Sequence, residues 1–213
     1  FFVAYTMCSL LEFESVLKNV VNPDKNIRGQ AEQFLEASKA NANWLVPALL
    51  ELSKASQDPT VCHMCVVLLR RYVSRTKDSL FDGLNEEIKA NVKTQMLARV
   101  VEPQPNMIRK GLAHCIAGLG SIIMENQWPE LLPTLFAIIQ SGDSESKATA
   151  LLIFSTIVPH FTDAMLAAQV SPLKDMLSFA MQQQPAMDVK IAAVETAMQI
   201  VAYLKAPRHI QAF

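Results

Sequence analysis

WLVPALLELSKASQDPTVCHMCVVLLRRY, residues 44–72, holds two helices and the turn between them. Trp44 and Pro47 precede a leucine-rich turn, Ala48-Leu49-Leu50, and the spacing predicts a helix over 44–56. Asp58 then stands before Pro59, a pairing that starts a second helix: the Asp side chain caps the free N–H groups, and Pro occupies a position where its missing N–H costs nothing. Val61, Met64, Cys65, Leu68, Leu69 and Tyr72 follow at i, i+3, i+4, i+7, i+8 and i+11, the apolar stripe of an amphipathic helix. Neither helix can bury its stripe alone, so such a pair needs neighbours of its own kind.

Working outward, the neighbours are present. Trp128-Pro129-Glu130-Leu131-Leu132-Pro133-Thr134-Leu135-Phe136 repeats the Trp, Pro and leucine order about two periods after Trp44. In both first helices the proline, Pro47 or Pro133, is expected to bend the helix by removing one ladder hydrogen bond. Second helices open at Asp24-Lys25-Asn26-Ile27-Arg28, with a stripe of Ile27, Ala31, Phe34 and Leu35, and at Asn106-Met107-Ile108-Arg109, with Ile108, Leu112, Cys115, Ile116 and Leu119. Asp143-Ser144-Glu145-Ser146-Lys147 and Asp188-Val189-Lys190 open two more. Arg28, Arg109, Lys147 and Lys190 mark one register position, with a mean spacing of about 40 residues, the period of HEAT and armadillo repeats. Cys62 holds that position in the second unit. Further first helices are expected over 85–101 and 170–183. No third short helix fits between pairs, which favours HEAT. The predicted fold is all-α, an α-α superhelix: a right-handed solenoid of about five HEAT helix pairs, with second helices on the concave side and first helices on the convex side.

Composition agrees. The 213 residues are 51% hydrophobic, with 6 Gly against 11 Pro, where average usage gives roughly 15 Gly. This favours helices over sandwiches, barrels and glycine-rich nucleotide loops. The net charge of −1, from 19 Lys+Arg and 20 Asp+Glu, removes the electrostatic reason to expect direct nucleic-acid binding. The longest uncharged apolar stretches, 111–124 and 148–162, fall short of the roughly 18 residues of a membrane span, so no membrane insertion is expected. Residues 1–11 lack the basic region and cleavage site of a signal peptide; Met7 is the expected start, with residues 1–6 upstream of it.

The search for chemistry is negative. Cys8, Cys62, Cys65 and Cys115 do not form a disulfide framework in so apolar a chain, which suggests a reducing compartment. Cys62, His63 and Cys65 carry the spacing of zinc and redox sites, but Cys65 belongs to an apolar stripe and no second ligand pair stands nearby. His63, His114, His160 and His209 are scattered over different repeats; His160, beside Pro159, is placed to meet helix-terminal carbonyls. Glu86 and Glu87 are adjacent and do not share a helix face. No phosphate loop, nucleophile elbow or metalloprotease motif occurs. No enzyme, metal or cofactor is expected.

What remains is surface charge. Residues 51–110 carry most of the basic side chains: Arg70, Arg71 and Arg75 end the second helix of the second repeat, and Arg109 with Lys110 opens that of the third. Two readings stand: a basic strip for an acidic patch of a partner protein, or solvated cations and braces between repeats.

Gln30-Ala31-Glu32-Gln33-Phe34-Leu35, the segment 44–52, and Val61-Cys62-His63-Met64-Cys65-Val66-Val67-Leu68-Leu69-Arg70-Arg71 together resemble the N-terminal domain of the importin-β (karyopherin-β) transport receptors. Ile108-Arg109-Lys110 and Asn126-Gln127-Trp128-Pro129-Glu130-Leu131-Leu132-Pro133 are similar to the segment that follows there, and the wording leans towards the importin-five branch. The resemblance implies a receptor that shuttles between cytoplasm and nucleus, carries protein cargo through the nuclear pore, takes Phe-Gly segments of nucleoporins between first helices, and is controlled by the small GTPase Ran in its GTP form. It places Ran contact loosely on second-helix cations, Arg28, Arg70, Arg71, Arg109, Lys110 and Lys147. Cys62 departs from the usual basic residue, and the acidic loop of some relatives is absent. The implied organisation is an extension over 1–10, an importin-β N-terminal domain over 11–105, and HEAT repeats three to five over 106–213. Pro207-Arg208-His209-Ile210-Gln211-Ala212-Phe213 has no polar cap, so the chain is expected to be the N-terminal piece of a longer solenoid. A HEAT scaffold of another class, such as a phosphatase or chromosome-organising subunit, is the alternative reading; an enzyme built on Cys62, His63 and Cys65 is a remote third.

Overall fold

The computed structural model describes residues 9–74, 79–182 and 186–204. Cys8, Arg75 and His209, together with the chain ends discussed above, lie outside the described residues. Ten α-helices follow one another, and no strand occurs among the described residues: α1 (Leu10–Asn19), α2 (Lys25–Ser38), α3 (Ala42–Ala55), α4 (Pro59–Val73), α5 (Glu86–Ala98), α6 (Asn106–Gln127), α7 (Leu131–Ser141), α8 (Ser144–Ile157), α9 (Asp163–Gln182) and α10 (Met187–Leu204). The chain divides into two compact units, residues 1–94 and 95–213, with α5 crossing the division. The fold class is the expected one, all-α helix pairs of the HEAT-repeat α-α superhelix class.

Aspartates start the helices as expected. The Asp24 side chain accepts from the N–H groups of Asn26 and Ile27, Asp58 from that of Thr60, and Asp143 from that of Ser146. Each satisfies donors that the first turn of a helix leaves open. Asp188 differs: it lies inside the first turn of α10, which already begins at Met187. In α1, Ser9 and Glu12 close a reciprocal capping box.

In unit one, the ring of Phe13 from α1 meets Trp44 of α3, with centroids 5.0 Å apart, and Phe34 of α2 at 6.4 Å. This aromatic junction fastens three helices. The stripe of α4 is rotated from the predicted one: Val61, Cys62, Cys65, Val66, Leu69, Tyr72 and Val73 are buried, whereas Met64 and Leu68 are only partly so. Ile27, expected on the stripe of α2, is 40% exposed.

In unit two, the second helices α6, α8 and α10 pack in sequence, with α7 and α9 behind them. Ile108, Leu112, Cys115, Ile116 and Leu119 are all buried, as their spacing predicted. Gly120 lets α6 approach closely: a Cβ there would stand 2.7 Å from a terminal carbon of Leu131. Thr196, fully buried on α10, places its hydroxyl 3.1 Å from the Leu151 carbonyl of α8.

The first helices depart from expectation in their starts. Trp128 follows the last residue of α6 as its C-cap and is 1% exposed, and α7 begins only at Leu131. Pro133 is therefore the third residue of α7, where the N–H would have no intrahelical acceptor, and it breaks no ladder bond. Pro47 is inside α3, and Pro172 is inside α9, which starts at Asp163 rather than near residue 170.

Candidate functional site

In the first three repeats the register position shared by the second helices holds a donor to the preceding turn. Arg28 Nη1 donates to the Asn22 carbonyl at 3.0 Å. Arg109 Nη2 donates to the Gln104 carbonyl at 3.0 Å and to the Glu145 carboxylate of α8. In the second repeat the Cys62 thiol stands where the arginines stand, with Sγ 3.3 Å from the Ser56 carbonyl and 3.8 Å from that of Leu52. Three repeats thus tie the start of a second helix to the main chain of the turn before it, two through a guanidinium and one through a thiol. Arg109 is 9% exposed, its long stem covered while Nη2 of its head makes both bonds.

The candidate cations sort by exposure. In unit one, Arg28 is half-buried on its staple, whereas Arg70 and Arg71 are exposed in the last turn of α4, where positive charge complements the helix C-terminus. In unit two, Arg109 and Lys110 line one groove with residues of α8 and α10. Lys147 turns away from it: its Nζ lies 5.5 Å from the centroid of the Phe179 ring of α9, a cation–π distance. Lys190 is exposed on α10. Arg70, Arg71 and Lys110 have no ion-pair partner among the described residues.

Cys62, Cys65 and Cys115 are buried and form no disulfide. Burial pushes the Cys65 thiol up to about 12, with smaller contributions from nearby Cys62 and Glu14. Such a thiol holds its proton and is a poor nucleophile. His63 is half-buried, with Nδ1 enclosed and unbonded. His160 is exposed in the 3₁₀ turn Val158–His160, which closes α8, and makes no hydrogen bond to the carbonyls of that helix. Glu14 of α1 accepts from Lys18 at 2.9 Å and from the Ser56 hydroxyl at 3.0 Å; these bonds, Lys18 first, hold its carboxyl below the usual range.

Sequence reasoning missed two features. The staple of Cys62 has no sequence signature, because its acceptors are main-chain atoms. The apolar residues Met187, Ile191, Val194, Met198 and Val201 of α10 are all 44% or more exposed; at i, i+4, i+7, i+11 and i+14 their spacing signalled a stripe but not that it is uncovered.

Comparison with known proteins brings the relatives into view. Residues 104–213 match the family model described as "IPO5-like, TPR repeats". Second helices of this unit nevertheless begin about forty residues apart, the HEAT period rather than the 34 residues of TPR. Exportin-2 of Oreochromis niloticus is 31% identical over 142 residues, 63% of this chain and 14% of that protein. A probable importin-5 homolog of Dictyostelium discoideum is 25% identical over 173 residues, 78% of this chain and 16% of that protein. The chain therefore spans about a seventh of the length of these relatives. Among solved structures, Kap95 in its complex with Nup1 superposes with a TM-score of 0.79 at 18% identity, covering 96% of this chain and 26% of that one. The karyopherin Kap121p bound to the SUMO protease Ulp1p gives 0.72 at 22% identity, covering 94% and 19%.

Proposed function

Because the chain belongs to the importin-β (karyopherin-β) family, in its IPO5-like group, we propose that it forms part of a nuclear transport receptor that binds Ran in the GTP form and carries protein cargo through the nuclear pore. The observation that carries this reading is the IPO5-like match over more than half the chain, joined to exposed, unpaired cations on second helices. Arg70, Arg71 and Lys110 would meet an acidic patch of Ran directly. Arg28, Arg109 and Lys147 complete the candidate set, and their bonds to turn carbonyls, Glu145 and Phe179 position the helices that present it. The protein works as a carrier rather than an enzyme, between cytoplasm and nucleus. Nucleoporin Phe-Gly segments and protein cargo are its further partners, in keeping with the Nup1 and Ulp1p complexes of the two similar structures. Stacked helix pairs suit this work, since small interfaces let curvature change when one partner binds, and cargo affinity then changes reciprocally.

Immobilised Ran loaded with GTP or GDP tests the reading. The 213-residue chain should be retained by the GTP form, and Arg70→Glu with Arg71→Glu should weaken retention. Equal retention by both forms, or by neither, would remove the transport reading and leave the scaffold alternative.

A further inference from the structure

Of the seven arginines in the chain, only Arg71 has a serine or threonine three residues after it, Ser74. Arg70 stands one residue further back, so two guanidinium groups precede one hydroxyl in Arg70-Arg71-Tyr72-Val73-Ser74. The fold brings the three together as well. Ser74 is the C-cap of α4, and its N–H donates to the Arg70 carbonyl at 3.2 Å, which closes the last helical turn. Residues three and four apart share a helix face, and this sets Ser74 beside both arginines. Arg70 and Arg71 are exposed, with no ion-pair partner among the described residues, and Ser74 is half-buried. The end of α4 makes no other demand on them. The Tyr72 carbonyl accepts from the Leu80 N–H at 2.8 Å, and the Val73 carbonyl from the Ser79 hydroxyl at 3.4 Å, so two of the carbonyls that a helix C-terminus leaves open are already covered.

We propose that Ser74 is a phosphorylation site for a protein kinase that selects arginine ahead of serine, and that the phosphate closes Arg70 and Arg71 to an acidic partner. Carboxylates in the cleft of such a kinase pair with the guanidinium groups, the charge pattern by which kinases sort substrates. Tyr72 and Val73 are buried, so the kinase takes the segment while the last turn of α4 is open, as helix ends fray. In the transfer, Ser74 Oγ bonds to the γ-phosphorus of ATP and the bond from that phosphorus to the β,γ-bridging oxygen breaks. ADP leaves with the electron pair, and the hydroxyl proton passes to the kinase's base. Once the turn re-forms, the phosphate carries about −1.5 to −2 charges at pH 7 and three acceptor oxygens. The helix dipole opposes an anion at this end, but its field is screened where the end is exposed. Two adjacent guanidinium groups each offer a charge-assisted, bidentate contact, so the arginines decide the balance. The consequence for Ran rests on the function proposed above; the phosphate site itself does not.

Three measurements on the whole 213-residue chain test it. Incubation with ATP and the catalytic domain of protein kinase C, followed by peptide mapping, should place phosphate on Ser74 and none at that position in Ser74→Ala; a chain left unmodified at Ser74 would overturn the proposal. Phosphorus NMR then reads the phosphate itself. Phosphoserine loses its second proton near about pH 6, and neighbouring guanidinium groups favour the dianion, so the midpoint should fall by about half a unit or more. With phosphoserine installed at position 74 during translation, Arg70→Gln with Arg71→Gln should restore the midpoint; one that never shifted would overturn the proposal, since the arginines would not be holding the phosphate. Finally, phosphorylation should weaken retention on Ran loaded with GTP about tenfold, a difference of about 1.4 kcal/mol, while Ser74→Ala treated alike keeps its retention. Unchanged retention of the phosphorylated chain would overturn the closing of the arginines. If the unmodified chain is not retained, the Ran reading fails by itself, and the mapping and the titration still decide the phosphate site.

Discussion

Replacing Arg109 removes a brace whose parts can be weighed separately. Its guanidinium donates to the Gln104 carbonyl at 3.0 Å and to Glu145, with 10% of the Arg109 side chain exposed against 69% for Glu145. A hydrogen bond from a charged donor to a covered carbonyl contributes about 1.5–3 kcal/mol, whereas an ion pair with so exposed a partner adds at most about 1 kcal/mol. The buried stem contributes about 0.8 kcal/mol per methylene. Arg109→Ala should therefore cost about 3–5 kcal/mol, and Arg109→Met, which keeps the stem, about 2–3 kcal/mol. Glu145→Gln should cost less than about 1 kcal/mol. Urea unfolding of the 213-residue chain measures all three as midpoint shifts at constant slope. The reasoning is refuted if Arg109→Met loses under about 0.5 kcal/mol, or if Glu145→Gln loses as much as Arg109→Met, since the salt bridge and not the turn carbonyl would then be the main contact.

Gly120→Val should destabilise by about 1–3 kcal/mol through overpacking, because even a Cβ at this position comes within 2.7 Å of fully buried Leu131; a neutral melting temperature would show that α6 and α7 can part. Acid should weaken the fold through Glu14, Asp58 and Asp143, whose carboxyls are held below 4.5, 3.8 and 3.8 by the bond from Lys18 and by the N–H groups of Thr60 and Ser146 respectively. Depressed values mean that this stability is fully present above the unfolded values and disappears as pH falls through the folded ones, so thermal melts should drop below about pH 4 and stay level between about pH 5 and 7. Cys65 and Cys115, both fully buried, should resist alkylation until urea unfolds the chain; peptide mapping that finds either labelled in the native state would contradict their placement.

The elements most legible in the sequence are those whose cause is local. Asp24, Asp58 and Asp143 act on N–H groups two or three residues away, and the stripe of α6 needs only the helical period. The match to Trp44 places Trp128 inside a first helix, yet it caps α6, a difference set by how the chain turns rather than by residue type. Pro133 looked like a bend for the same reason. Ile27 fits its period but stays 40% exposed. The candidate cations were visible as charges, but their division into braces and exposed groups depends on turn carbonyls and on Phe179, thirty-two residues from Lys147. The groove was not legible at all, since it joins residues from three helices far apart in the chain.

The staple at the start of the second helices also shapes how such a chain can diverge. Its acceptor in the first three repeats is a main-chain oxygen, at Asn22, Ser56 or Gln104, and a side-chain substitution in the turn does not delete that oxygen. A donor opposite it can therefore change from guanidinium to thiol in a single step, with no compensating replacement elsewhere. Residues at this position are free to drift without leaving a correlated partner. The exception is Arg109, whose second bond goes to the side chain of Glu145, so covariation between repeats should gather there and be absent at Arg28.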